Sequence, residues 1–246
     1  ERLELKVHET ILEVNLNAIV NNLDKYRSML SADTKIACMV KASAYGTGAI
    51  EVAKTLQDCK VDYLAVAVAD EGRELRNAGI TTSIMVMNPE RTSFKLLFDY
   101  KLEPEIYSFH LLEELIRAAE HNGITNFPIH IKIDTGMHRL GFAPSDIPEL
   151  VRRLKRQTAV IPSSVFSHFA GSDSAYFDDY SELQVERFKM AADTLQEAFR
   201  HYIARHICNS AGIERLPQQH FDMVRLGLGL YGVNPINNQL LDNVAT

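Results

Sequence analysis

Lys41 is the residue of this sequence that most directly suggests chemistry. It ends the apolar segment KIACMV and precedes the small-residue stretch ASAYGTG. Partial desolvation at such a place lowers the pKa of a lysine and leaves a free amine for Schiff-base formation with a carbonyl compound. The alternative is a lysine that simply reaches solvent from a strand end. The small residues would let a ligand approach the backbone closely, and Tyr45 could serve a phosphate.

Further polar side chains follow other predicted strands. They include Arg139 in DTGMHR, His168 in FSHF, the pair Asn209 and Ser210, and Arg225. The planar fork of an arginine suits Arg139 to a carboxylate or a phenolic oxygen, although an exposed loop charge is the simpler alternative. A histidine between aromatic residues, as His168 is, is more often a core residue. Because reactive residues gather at the carboxyl ends of barrel strands, the shared placement favours one site.

The segment Gly227–Gly232, GLGLYG, matches the GxGxxG pattern of dinucleotide-binding proteins. Asn234-Pro235 follows where the helix of that motif should run, and too few residues remain for its acidic ribose ligand. A phosphate site after the seventh and eighth strands of a barrel fits better. A nucleotide-binding α/β module is therefore the least favoured interpretation.

Composition excludes several classes of function. The 246 residues carry a formal net charge of -6, which argues against a nucleic-acid surface. No apolar run reaches the roughly 18 residues of a membrane helix, and no signal peptide is visible, so we expect a cytoplasmic protein without a membrane partner. Three cysteines without a CxxC pair, and nine histidines without HExxH spacing, predict neither a disulfide framework nor a metal site. No GxSxG elbow supports hydrolase chemistry.

Short apolar runs alternate with helical patterns along the chain. Eight strands are predicted, over residues 35–40, 62–68, 83–87, 105–107, 128–134, 164–168, 205–208 and 222–226. Helical patterns cover residues 49–56, 70–77, 94–100, 111–121, 147–155 and 180–202. Eight parallel strands in a chain of this length predict an α/β fold, a (β/α)8 TIM barrel. An open doubly wound sheet is the alternative, and it usually needs fewer strands.

The residues at both ends of the chain are not part of the predicted barrel. Residues 1–16 are expected to be a lead-in that contains the strand-like piece Thr10–Leu16, followed by a helix over 17–29 that Asn17 caps. Residues 17–235 form the predicted barrel. Residues 236–246 are interpreted as the start of a linker to a C-terminal β domain that this chain lacks, and the absence of an initial Met suggests a piece of something longer.

Five motifs, in order, resemble those of the alanine racemase family of fold-type III pyridoxal-phosphate enzymes. The family's VKANAYGHG is similar to residues 40–48, VKASAYGTG, with serine at 43 and threonine at 47 as departures. The other matches are DTGMHRLG at 134–141, SHFA at 167–170, NSA at 209–211 and RLGLGLYG at 225–232. The likeness extends from Thr10 to about Pro235 and implies the N-terminal, cofactor-binding barrel domain of such an enzyme.

The resemblance implies a role for each matched residue. Lys41 would hold pyridoxal 5'-phosphate as a Schiff base and act as one acid/base group, Arg225 would face the pyridine nitrogen, and Arg139 would contact the phenolic oxygen or the substrate carboxylate. His168 would lie close to the ring and support catalysis. Lys132 matches a position that is carbamylated in some relatives. The remaining cofactor-binding residues would be Tyr45, Asn209, Ser210, Gly227, Leu228 and Tyr231.

The resemblance also implies a function. Interconversion of L- and D-alanine, which supplies D-alanine for cell-wall peptidoglycan, is the expected activity. The family's second base is a tyrosine in the C-terminal domain of a homodimer partner, so we expect this chain alone to be weakly active or inactive. The alternatives are a racemase of another small amino acid, such as serine, and a non-catalytic single-barrel protein that binds pyridoxal phosphate.

Overall fold

Eight parallel β-strands form the centre of the molecule, in a computed structural model that describes residues 11–242. The order β7-β6-β5-β4-β3-β2-β1-β8 places each strand beside its neighbours in the chain, apart from the β1–β8 pair. Backbone N–H groups of Asp222 and Arg225 donate to the carbonyl oxygens of Arg205 and Cys208, which joins β8 to the β7 segment. The sheet therefore closes, and the predicted (β/α)8 barrel is confirmed. The strands are β1 Lys35–Met39, β2 Tyr63–Val66, β3 Ser83–Val86, β4 Leu102–Ile106, β5 Phe127–Lys132, β6 Val160–Phe166, β7 Ala204–His206 and β8 Met223–Leu226.

Helices follow the strands and cover the outside of the barrel. They are α1 Leu16–Arg27, α2 Lys41–Tyr45, α3 Ala49–Asp58, α4 Ala69–Asn77, α5 Phe94–Asp99, α6 Phe109–His121, α7 Ile147–Leu154, α8 Asp178–Ala198 and α9 Ser210–Arg215. Short 3₁₀ turns add Arg91–Ser93, Pro144–Asp146, Ala175–Phe177, Pro217–Gln219 and Leu228–Tyr231. The last of these turns follows β8, where the eighth helix of a barrel would begin.

The start of the described chain differs from its prediction. Residues 11–15 have no regular structure, and Thr10 lies outside the described residues, so the expected lead-in strand is not found over 11–16. The cap prediction was wrong by two positions. Asn15, not Asn17, is the N-cap of α1, and its side-chain oxygen accepts from the backbone N–H groups of Asn17 and Ala18.

Two strand positions were also predicted imperfectly. β4 begins at Leu102 rather than Glu105, and β6 begins at Val160 rather than Ser164. Each of these early segments contains a proline, Pro104 or Pro162, and proline lowers the strand propensity that a sequence pattern measures. Pairing with neighbouring strands still includes both segments, as the Val86–Pro104 and Ile129–Pro162 registers show.

The strands bury two different faces. Their outward side chains and the helices form one continuous apolar core that includes Ile36, Leu64, Ile84 and Ile131. Inside the barrel, a small apolar cluster of Ala37, Ala65, Met85 and Met223 fills one part of the lumen. The rest of the lumen is polar, because alternate residues of β4 to β8 point inward with period two. These inward polar residues are Glu103, Glu105, His130, Lys132, Ser164, His206 and Arg225.

No helix within residues 11–242 has the length and apolar character to span a membrane. Over the same residues, no group of three or more His, Cys, Asp and Glu side chains is arranged to hold a metal ion.

Candidate active site

A cavity of about 570 Å³ opens at the carboxyl ends of the strands. In a barrel this face carries the βα loops, so residues distant in sequence meet there. The wall contains nearly all of the residues singled out from the sequence: Lys41, Tyr45, Lys132, Arg139, His168, Asn209, Ser210, Arg225, Gly227 and Leu228. Tyr231 is the exception, since it does not line the cavity.

Lys41 begins the short element α2, which is a left-handed turn rather than a right-handed helix. Four residues without a glycine among them, Ala42 to Tyr45, all have φ between 52° and 56°. Left-handed conformation costs an L-residue roughly 1–2 kcal/mol, so this turn is strained and must be held by its surroundings. Glu71 on α4 supplies one such contact, because its carboxylate accepts from the backbone N–H groups of Ala42 at 2.6 Å and Ala67 at 2.7 Å.

The environment of Lys41 differs from the sequence-based expectation. The side chain was expected to be partly desolvated at a strand end, but Lys41 is exposed and lies at the cavity wall. The strained turn, rather than burial in an apolar strand, sets its position. The amine is therefore accessible to a ligand that enters the cavity.

Three groups meet on one side of the cavity in a form suited to a phosphate. Ser210 is buried, and its hydroxyl oxygen accepts from the backbone N–H of Gly227 at 3.0 Å. A Cβ on Gly227 would lie 3.1 Å from the hydroxyl of Tyr45, so glycine keeps this space open. Burial raises the pKa of Tyr45, which keeps its hydroxyl protonated and able to donate.

The contacts of Asn209 and Tyr231 give each of them a structural role at the site. The side-chain oxygen of Asn209 caps α9 by accepting from Gly212 N at 2.9 Å, and it also accepts from Ser172 Oγ. Tyr231 donates from its hydroxyl to Met39 O at 2.7 Å, and its ring centroid lies 4.7 Å from that of Tyr45. Tyr231 therefore supports the Tyr45 ring from outside the cavity.

Arg225 is buried at the cavity wall and held on several sides. Its Nη2 donates to the carbonyl oxygens of Ser167 at 2.7 Å and Ile207 at 3.2 Å. Its two terminal nitrogens also contact ring nitrogens, His206 Nδ1 at 2.8 Å and His168 Nδ1 at 3.1 Å. A guanidinium has donors and no acceptor, so each contacting ring nitrogen must be unprotonated.

Both histidines beside Arg225 are accordingly neutral. Burial, and then the Arg225 charge, hold the pKa of His168 and of His206 well below the usual range. The aromatic neighbours of His168 suggested a core histidine. The side chain also lines the cavity and shares a hydrogen bond with Arg225.

Lys132 is buried in the lumen with an acidic neighbour. Its Nζ lies 3.7 Å from Glu105 Oε1 and 4.5 Å from the centroid of the Phe166 ring. Burial lowers the pKa of Lys132 to about 8, against the attraction of Glu105. Burial also raises the pKa of Glu105, although Lys132, Arg225 and Arg139 oppose that rise. A buried cation and a buried carboxylate thus share the cavity wall.

Arg139 is exposed at the cavity rim, on the loop that follows β5. Helix α8 holds this loop: the Tyr180 hydroxyl donates to Gly136 O at 2.7 Å, and Arg187 Nη1 donates to Thr135 O at 3.0 Å. A Cβ on Gly136 would collide with the Tyr180 hydroxyl at 2.4 Å, so glycine permits this contact.

Glu105 lines the cavity and was not predicted as a site residue. A signal was available, since Glu103 and Glu105 recur with period two in LEPEI and so lie on one face of a strand. Asp173 also lines the cavity and was not predicted. The wall then carries four basic side chains, Lys41, Lys132, Arg139 and Arg225, against these two carboxylates. This excess of positive charge favours an anionic ligand.

Known proteins resemble this chain over most of its length. The family model described as alanine racemase, N-terminal domain, matches residues 14–235. Alanine racemase 2 of Caldanaerobacter subterraneus subsp. tengcongensis is 35% identical over 244 residues, covering 96% of this chain and 62% of that protein. Alanine racemase 1 of Clostridium acetobutylicum is 36% identical over 227 residues, covering 92% of this chain and 58% of that protein.

A similar structure has also been solved. The alanine racemase of Clostridium difficile 630 in complex with cycloserine is 35% identical, has a TM-score of 0.87, and is matched over 94% of this chain and 64% of its own. The chain spans about 60% of the length of the curated relatives it matches. The motifs, the barrel and these similarities agree, and the chain belongs to the alanine racemase family, of which it carries the N-terminal barrel domain.

Proposed function

We propose that this chain is the cofactor-holding part of an alanine racemase that uses pyridoxal 5'-phosphate. The family is pyridoxal-phosphate dependent. The observation that carries the proposal is the cavity itself, whose wall contains an accessible amine, Lys41, together with Tyr45, Ser210 and the buried guanidinium of Arg225. Chain-specific geometry and family membership thus support the same cofactor.

The residues present fit this cofactor. Tyr45, Ser210 and the backbone of Gly227 and Leu228 would hold its phosphate, in the space that the missing Cβ of Gly227 leaves. Arg225 would lie at the ring nitrogen, where its guanidinium can donate a hydrogen bond but stays protonated and does not transfer a proton. Asn209 and Tyr231 would not contact the phosphate directly. Asn209 would position Ser210 by capping α9, and Tyr231 would position the Tyr45 ring.

Pyridoxal phosphate, when bound, supplies an electron sink that makes the α-hydrogen of an amino acid acidic. Lys41 would bind the cofactor covalently and move a proton at the α-carbon. Arg139 at the rim would orient the substrate carboxylate or the phenolic oxygen, because its fork matches two oxygens. His168, held neutral beside Arg225, leaves the ring nitrogen without an adjacent acid, which favours return of the proton over side reactions.

The remaining parts of the proposal concern the whole protein. Racemisation needs a proton-transfer group on each face of the substrate, and Lys41 serves one face. We expect the second group from a C-terminal domain across a homodimer, so that the described barrel by itself has little or no racemase activity. The proposed setting is the cytoplasm, where D-alanine would supply peptidoglycan synthesis, with neither nucleic acid nor membrane as a partner. Carbamylation of Lys132 stays a prediction.

Cofactor binding and activity test this proposal separately. Addition of pyridoxal phosphate to the chain should give a visible absorption band that Lys41→Ala abolishes. Lys35→Ala is the matched control, since it changes another exposed lysine of the same βα unit. A protein that carries this barrel together with a C-terminal domain should interconvert the alanine enantiomers faster than those of serine. Cofactor binding by the barrel, without racemisation of any amino acid by that two-domain protein, would favour the non-catalytic alternative.

A further inference from the structure

A line of hydrogen bonds crosses the lumen from the cavity wall toward the opposite end of the barrel. Arg225 Nη1 lies 2.8 Å from His206 Nδ1, and His206 Nε2 lies 2.9 Å from Ser164 Oγ. Ser164 Oγ lies 2.7 Å from His130 Nδ1, and His130 Nε2 lies 2.9 Å from Glu103 Oε2. We call these five residues the lumen chain.

Arg225 and Glu103 fix the two ends of the lumen chain. Arg225 can only donate, so His206 Nδ1 accepts, the His206 proton lies on Nε2, and that N–H donates to Ser164 Oγ. At the other end, His130 Nε2 carries a proton and donates to the carboxylate of Glu103. The line is continuous when the Ser164 hydrogen points to His130 Nδ1, and every bond then runs from the cation to the anion.

The surroundings favour this arrangement. His130, Ser164, His206 and Arg225 are all buried, and unpaired polar groups there would be costly. His206 stacks on the Phe166 ring, with centroids 4.7 Å apart and planes 4° apart. Burial alone would raise the pKa of Glu103. The hydrogen bond and the electrostatic attraction of His130, followed by hydrogen bonds from Tyr63 and Ser83, outweigh that effect and hold its pKa below the usual value, so its carboxylate stays charged.

Glu103 does not line the cavity, in contrast to Glu105 two residues later on β4. It lies one inward layer below, about 7 Å along the strand. We propose that Glu103 is a positioning residue for Arg225, which it holds in the cavity wall by ending the lumen chain on an acceptor. Without that acceptor the histidines could adopt the opposite tautomers, and a proton on His206 Nδ1 would face the Arg225 donor.

The effect on the cofactor rests on the function proposed above, because Arg225 matters there only if it contacts the bound ring. The hydrogen-bond direction is a property of the barrel itself. It can therefore be measured without cofactor, and the two proposals can fail separately.

The test is an ¹⁵N–¹H correlation spectrum of the histidine side chains in the cofactor-free chain. In the wild type, His130 and His206 should both show the neutral tautomer with the proton on Nε2. Glu103→Gln keeps an oxygen acceptor and should preserve this pattern. Glu103→Met has a similar size without an acceptor and should move the ring-nitrogen shifts of His130 and also of His206. Tyr63→Phe is the matched control, since it removes another contact of Glu103 and no atom of the lumen chain.

Ser164→Ala separates positioning from packing. With the line interrupted at residue 164, Glu103→Met should still affect His130 but leave His206 unmoved. In the protein that retains Ser164, Glu103→Met should also weaken binding of pyridoxal phosphate severalfold. Glu103→Gln should bind it about as tightly as the wild type does. Circular dichroism confirms that each variant is folded.

Three results would overturn the proposal. The first is a His206 proton on Nδ1 in the wild type, and the second is a His206 ring-nitrogen shift that does not change in Glu103→Met. The third is a change of the His206 shift by Glu103→Met that is equally large when Ser164→Ala is also present. If Glu103→Met does not fold, the wild-type tautomers still decide the direction. Ser164→Ala alone must then move the shifts of both histidines.

Discussion

At the scale of single residues, charge and burial separate the two amines of the cavity wall. Lys41 is exposed on a strained turn, whereas Lys132 is buried beside Glu105. In the proposed function, Lys41 is the amine that reacts with an incoming carbonyl group. Lys132 is placed to balance a buried carboxylate, in a wall that already contains Arg225. Similar side chains thus have different chemistry because their positions differ.

The lowered pKa of Lys132 predicts a change of stability with pH. Its ordinary value is 10.5 and its folded value is about 8. Between these values Lys132 binds more protons in the unfolded chain than in the folded chain, so its contribution to the unfolding free energy should rise as pH increases. Cys38 and Cys208, whose pKa values burial raises to about 12, contribute in the opposite direction. The rise from this lysine is on the order of 3 kcal/mol. Below pH 8 its contribution is lost. Denaturant unfolding between pH 7.5 and 10.5 measures it.

The control for this prediction removes both charges of the pair. A double variant, Lys132→Met with Glu105→Gln, should lose the Lys132 part of the rise, so the difference between the two proteins separates it from the buried cysteines. An identical pH dependence in the double variant would contradict the assigned pKa. The neutral amine is also the form that reacts with carbon dioxide, whereas the adjacent Glu105 carboxylate opposes a second negative charge. An intact-mass measurement decides whether Lys132 carries a carbamate.

The group of residues assigned to the phosphate, Tyr45, Ser210 and Gly227, gives a second prediction for a single residue. Gly227→Ala would bring a methyl group to 3.1 Å from the Tyr45 hydroxyl and into the space assigned to phosphate. We expect the Kd for pyridoxal phosphate to rise about tenfold or more, as loss of about one hydrogen bond implies. Equilibrium dialysis measures the change. Unchanged affinity, in a variant of unchanged stability, would place the phosphate elsewhere.

At the scale of elements, helix α8 stabilises the loop that presents Arg139. Tyr180→Phe removes the hydrogen bond to Gly136 O and should speed amide exchange over residues 136–140 about fivefold, as loss of roughly 1 kcal/mol implies. Tyr176→Phe is the matched control, because that tyrosine is 87% exposed on the turn before α8. Hydrogen exchange measured by mass spectrometry compares the two. Equal exchange in both variants would show that α8 does not hold the loop.

The elements also show what could be predicted from sequence. Lys41, His168 and Arg225 were found because polar residues after apolar runs mark the carboxyl ends of parallel strands, and the fold brings those ends together. Glu105 was missed because β4 was predicted to begin three residues late, which hid its inward alternation with Glu103. The left-handed turn was not predictable, since Ala42 to Tyr45 contains no glycine to indicate positive φ. The predicted lead-in strand is not found over residues 11–16, because a strand-like sequence pattern does not show whether a partner strand exists.

At the scale of the whole molecule, the proposed function requires that a barrel with Lys41 in place supplies proton transfer on one face of a substrate. In ²H₂O with pyridoxal phosphate, this chain should exchange the α-hydrogen of one alanine enantiomer faster than it interconverts the two. Proton NMR follows the exchange, and chiral chromatography follows the interconversion. Interconversion as fast as exchange, at the rate of an ordinary racemase, would show that the described barrel already contains both groups.

The central claim is that Lys41 holds the cofactor, and the position of the covalent bond tests it most directly. The chain is loaded with pyridoxal phosphate, reduced with borohydride, digested and mapped by mass spectrometry. Two amines line the cavity within the described residues, and Lys132 has the lowered pKa that a reactive lysine often shows. The account predicts the pyridoxyl group on Lys41, with Lys132 unmodified. A pyridoxyl group on Lys132, or none in the peptide that contains Lys41, would contradict it.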